Sequence, residues 1–99
     1  MSQNLIGGYE LAAMEECSLP EQVATGFGQV MATLLGAKYL PVLYVGKQIV
    51  HGTNHTLICR QSLATQGAPE HLVKLVINQN QDDGSVAGQW SLVSIEQII

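Results

Sequence analysis

From Leu19 to Leu34 the apolar positions Leu19, Val23, Phe27, Val30, Met31 and Leu34 fall at offsets 0, 4, 8, 11, 12 and 15. At 100° per residue they occupy one arc of about 120°, the stripe of an amphipathic helix laid on an apolar surface. Ser18-Leu19-Pro20-Glu21 supplies a start. Ser18 can cap, Glu21 stands three residues on as a capping box requires, and Pro20 suits a first turn whose N–H groups lack helical partners. Gly36 is the expected stop. Gly26 and Gly28 interrupt the stripe, each at about 1 kcal/mol against Ala. Gly26, at the edge of the apolar arc, would let a sheet approach the helix backbone closely. Gly28 has no such reason.

After Gly36 the period changes. Tyr39 to Val50 is rich in Val, Leu, Ile and Tyr, with Pro41 near its start and Gly46 inside. It reads as a strand that begins at a sheet edge and bends at Gly46. Val50 to Asn54 is a turn signal, in which Gly52 can supply a positive φ. Beyond it His55, Leu57 and Cys59 share the better core face, and Asn54, Thr56, Ile58 and Arg60 share the other. Gln66 to Pro69 punctuates again. His71 to Asn78 is a third strand, with Val73, Leu75 and Ile77 on one face. A polar stretch from Asn78 to Gly88 carries Asp83-Gly84 as a turn, and Trp90 to Ile99 is a final strand. One helix followed by about four strands predicts an α+β fold, an antiparallel meander wrapped on a helix.

Composition narrows the function classes. Ninety-nine residues make one domain, 1–99. Four Lys and Arg against eight Asp and Glu give a net charge of -4, with no basic footprint for nucleic acid. No apolar run nears the ~18 residues of a membrane span. Met1 to Asn4 lack positive charge and no apolar core of a signal peptide follows, so a cytoplasmic protein with reduced thiols is expected. A secreted chain already trimmed of its leader would read the same way. Gly7-Gly8 comes too early for a double-glycine export leader. The first eight residues, which contain this pair, are expected to form a mobile arm.

Several residues invite chemical readings that their spacing resists. His51, His55 and Cys59 are four apart, which on a helix would suggest metal ligands. In a strand residues four apart lie roughly 13 Å from one another, too far to share a zinc, so no metal or other cofactor is expected. Gly26-Phe27-Gly28 has no preceding strand to make it a phosphate loop. Cys17 sits at the N-terminal edge of the expected helix, where a thiol can be activated, yet nothing brings a histidine to it. Glu15 and Glu16 would point about 100° apart on a helix and do not converge as an acid/base pair. No catalytic residue emerges. A Cys17–Cys59 bridge is the one disulfide the chain can make.

Gln48-Ile49-Val50-His51-Gly52 resembles the Q-x-V-x-G hairpin signature of the cystatins, and Thr53-Asn54 continues as in stefin-type members. Tyr39 to Leu43 is similar to the stefin stretch that enters this strand. Asn4-Leu5-Ile6-Gly7-Gly8 resembles the cystatin inhibitory arm, in which two apolar residues precede a glycine. Trp90 stands where secreted cystatins carry Pro-Trp in their second hairpin. The order of arm, helix, first hairpin, third strand, second hairpin and last strand is also the family's. The resemblance covers essentially the whole chain.

This resemblance implies a cystatin-like fold with four or five strands, acting as a reversible, tight-binding inhibitor of papain-like cysteine peptidases. Leu5 and Ile6 would fill substrate pockets, with Gly7 and Gly8 as a pivot. Gln48, Ile49, Val50, His51 and Gly52 would form the first hairpin of a wedge, with Gly52 passing close to the cleft floor. Gln89 and Trp90 would form the second, with Trp90 as a rim anchor. The chain would be a monomer able to open at Val50 and exchange halves in a dimer. Three features depart from the pattern. His51 replaces a small residue, Gln89 replaces proline, and the stretch from Pro41 to Gly52 is about three residues short. The departures at His51 and Gln89 favour an alternative, a noncatalytic interaction module on the same fold.

Overall fold

The computed structural model describes residues 10–65, 67–80 and 88–99. The arm residues Leu5 to Gly8 and the Asp83-Gly84 turn lie outside the described residues. One helix, α1 (Glu21–Met31), precedes four strands: β1 (Ala37–Val50), β2 (Gly52–Leu63), β3 (His71–Asn80) and β4 (Gln89–Gln97). Every neighbouring pair is antiparallel and the sheet order follows the chain, β1-β2-β3-β4. The architecture is the expected α+β meander. The helix lies against β3 and β4, while the segment through Cys17 and Leu19 joins the body beside β1. There the Cys17 N–H donates to the Pro41 carbonyl at 2.9 Å, and Leu19 touches the core.

Alternation in β2 and β3 sets the core. Leu57 and Cys59 face Leu75 and Val73 across the sheet, and Ile77 extends the row. Val23 and Val30 close it from the helix, with Phe27, Met31, Tyr39, Tyr44 and Ile95 packed around. Burying each such aliphatic side chain contributes roughly 1.5–3 kcal/mol. Cys59 behaves as a small hydrophobe within this layer. Burial pushes its thiol up to about 12, and both cysteines are free.

The helix departs from expectation at both ends. Pro20 is the residue before the helix, with φ -52° and ψ 145°, and no side chain caps the first turn. A proline disfavours helical geometry in the residue before it, so Leu19 stays extended and Ser18 is left too far back to cap. At the other end the regular helix stops at Met31, five residues before Gly36. Thr33 and Leu34 make i→i−3 backbone bonds to Val30 and Met31, and the Thr33 hydroxyl takes the Val30 carbonyl at 2.7 Å. That side-chain competition for a helix carbonyl tightens the last turn.

The strand limits also shift. β1 begins at Ala37 and carries two bulges, one at Val42 and one at Val45, the second beside the expected bend at Gly46. β3 runs on to Asn80, and β4 spans Gln89 to Gln97. Val50 is the last residue of β1, paired with Gly52, and not a turn residue; His51 alone makes the reversal. Val50 is therefore extended, the geometry a β-branched residue prefers, and it adds no turn strain that would favour opening there.

Candidate functional site

The β1–β2 hairpin closes one end of the sheet, just beyond the first β2–β3 pair at Thr53. From Lys47 to His51 every residue is exposed, and Ile49 is 81% exposed. The site residues Gln48, Ile49, Val50, His51 and Gly52 therefore sit together at one end of the sheet. The β3 terminus at Asn80 and the β4 start at Gln89 lie at the same end, because β3 returns antiparallel to β2 and pairs Asn80 with Gln89. Gln89 is exposed there.

The tip is tied to β3. Asn78 Nδ2 donates to the His51 carbonyl at 3.1 Å and to Asn54 Oδ1 at 2.8 Å. Gly52 has φ +82°, and a Cβ placed on it would lie 2.6 Å from the Gln79 carbonyl oxygen. Only glycine meets both demands. The absence of a side chain at Gly52 is used inside the fold, against β3.

Trp90 is turned inward. It pairs with Gln79 on β3, and its ring centroid lies 5.2 Å from that of His55. A Cβ on Gly26 would stand 2.0 Å from Trp90 Cδ2, so the indole lies directly on the helix backbone. The close approach expected at Gly26 is made by this ring. Trp90 belongs to the layer beneath the helix, with its neighbour Gln89 on the opposite face of the strand.

A polar network passes beneath the hairpin's root. His55 is 5% exposed and Gln79 equally so. Gln79 Oε1, an acceptor only, lies 3.3 Å from His55 Nε2, so that nitrogen carries the proton. His55 Nδ1 then accepts from the Tyr44 hydroxyl at 2.8 Å. Gln79 Nε2 donates onward to Gln22 Oε1 of the helix at 3.4 Å. Burial holds the His55 imidazole below its ordinary value, and Lys47 adds to this, against the opposing effect of the Gln79 bond. Burial also raises the Tyr44 phenol. No buried side-chain polar atom among the described residues lacks a partner.

Sequence reasoning placed His55 on the core face but missed the network. The signal was present: the period of two in β2 carries the core face from Cys59 and Leu57 back to His55. In β3 it carries Val73, Leu75 and Ile77 on to Gln79. Two polar residues at neighbouring core positions announce a hydrogen-bonded pair.

At the opposite end of the sheet Arg60 holds the chain that precedes the helix. Its guanidinium donates to Glu70 at 2.6 Å and to the Ala12 carbonyl at 2.9 Å. Ser62 donates to the same carboxylate at 2.5 Å. The Ser62 hydroxyl and then Arg60 hold the Glu70 carboxyl below its ordinary range. Cys17 lies four residues before the helix, away from the activating first turn. Among the described residues no group of three His, Cys, Asp or Glu is placed to hold a metal ion, and no helix is long and apolar enough to cross a membrane.

No protein-family model, no curated protein and no solved structure matches this chain.

Proposed function

We propose that this chain is a cystatin-like, noncatalytic domain that reversibly inhibits papain-like cysteine peptidases by seating its β1–β2 hairpin in the active-site cleft. The observation that carries the reading is the exposure of Ile49 at the end of a hairpin already held in shape. A tip fixed by Asn78 and by Gly52 loses little freedom on binding, so its contacts yield more net affinity. In this reading no peptide bond of the hairpin need reach attacking geometry, so the cleft is blocked without cleavage. Gln48 and Gln89 stand at the same end and would contact the cleft rim.

In this reading Leu5, Ile6, Gly7 and Gly8 would add a second contact beside the hairpin.

A second reading, a noncatalytic interaction module that offers the same hairpin to a different protein, is favoured by Gly52 and Trp90. Both are fully accounted for by contacts inside the fold. Titration against papain and a cathepsin-type peptidase separates the two. Stoichiometric inhibition by the whole chain is expected, weakened tenfold or more by Ile49→Ser and weakened also by removal of residues 1–8. An inactive chain at high micromolar concentration would discard peptidase inhibition in favour of the second reading.

A further inference from the structure

Every element of the fold meets at His55. Tyr44 reaches it from β1 and Gln79 from β3, Trp90 of β4 stacks against its ring, and Gln22 of α1 is joined through Gln79. The bonds form a directed chain: Tyr44 to His55, His55 to Gln79, Gln79 to Gln22. The Tyr44 hydroxyl has its acceptor only while the imidazole is neutral, whereas the bonds onward to Gln79 and Gln22 hold in either protonation state. A proton added to Nδ1 turns an acceptor into a donor that faces the Tyr44 hydroxyl hydrogen. The hydroxyl must then rotate and find another acceptor, or the β1–β2 root must part.

The charged surroundings add to this. From β1, Lys47 is the cross-strand partner of His55 and repels the cation. Tyr44 is a neutral phenol. β3 presents Gln79, β4 presents Trp90, and the helix presents Gln22, all uncharged. Glu21 is next to Gln22 in sequence, but among the described residues the hydrogen bonds of His55 go to Tyr44 and Gln79, and no carboxylate is bonded to the ring to stabilise an imidazolium.

We propose that His55 is a proton-operated latch at the root of the β1–β2 hairpin, closed when neutral and released when protonated, so that mild acid loosens the hairpin where Tyr44 and Lys47 of β1 meet the ring. This goes beyond the identity of any partner, since it concerns how the tip is held and not what it binds. Its seat is the junction of all four strands, where a proton on the ring is felt first by Tyr44 and Lys47 of β1.

The test is amide hydrogen exchange on the full chain at pH 7.5 and 5.0, expressed as protection relative to the unstructured rate. Protection over Lys47–Thr53 is expected to fall at least tenfold at pH 5.0, while that of Arg60, Leu72 and the first helical turn changes little. Tyr44→Phe removes the donor to Nδ1 and should move the His55 midpoint, followed by its ring proton resonance, to higher pH. His55→Gln, which can still accept and donate, should abolish the pH dependence, and His51→Asn should leave it intact. Equal protection at the two pH values would overturn the latch. So would a pH dependence that survives His55→Gln, or a Tyr44→Phe variant whose His55 midpoint does not move.

Discussion

Gly26 and Gly28 stand two residues apart on one helix and meet opposite surroundings. A methyl at Gly26 would lie inside the Trp90 ring, whereas one at Gly28 would meet nothing within 4 Å. Gly26→Ala is therefore expected to destabilise by about 1–3 kcal/mol through overpacking. Gly28→Ala should stabilise by up to about 1 kcal/mol through helix propensity. Urea unfolding of the two variants reads both signs. Gly52→Ala combines a strained φ with contact on the Gln79 carbonyl, and should cost about 1–3 kcal/mol. At the same scale the two thiols differ in access. Cys59 is buried with its thiol pushed up to about 12, and Cys17 is half-buried. A thiol reagent under native conditions should modify Cys17 alone, and Cys59 only after unfolding.

Among the elements, the segment before the helix depends on few ties. Its carbonyl at Ala12 accepts from Arg60, and its amide at Cys17 donates to Pro41. Arg60→Ala removes the first tie and the partner of Glu70. Limited proteolysis should then cut between residues 10 and 18 faster than in the parent, with global stability lowered by about 1 kcal/mol or less, because the ion pair is partly exposed. The hairpin shows how local and distant causes combine. Gly52 permits the reversal, but Asn78 on β3 fixes where the tip points. Asn78→Ala should loosen the tip, seen as lower amide protection at Gly52 and Thr53, without unfolding the sheet.

For the whole molecule, stability on acidification follows His55 and Glu70. The unfolded chain takes up a proton at His55 near the ordinary value of 6.5, whereas the folded chain resists until lower pH. Between those limits the unfolded state holds more protons, so stability rises with pH. The His55 contribution is thus fully present above about pH 6.5 and is lost as pH falls below it. Glu70 acts lower. Its folded carboxyl is held below 4.5, so its contribution is present above that value and is lost as pH falls further. Thermal unfolding midpoints should decline in two stages on acidification, and His55→Gln should remove the upper stage.

The sequence by itself determined the elements, because each rests on local periodicity. The stripe from Leu19 to Met31 announces the helix, and alternation through Leu57, Cys59, Val73, Leu75 and Ile77 announces the two central strands. A glycine at the hairpin was legible for the same reason. Tertiary structure decided the rest. Which strand face the helix covers fixed Trp90 against Gly26 and turned it inward, a relation between residues 64 positions apart that no local period encodes. The ends of the helix moved because Pro20 restricts Leu19 and because Thr33 reaches back to Val30. The network of Tyr44, His55, Gln79 and Gln22 draws one side chain from each of four elements. Its hydrogen bonds depend on the register between strands, which becomes definite only when one sheet face is buried.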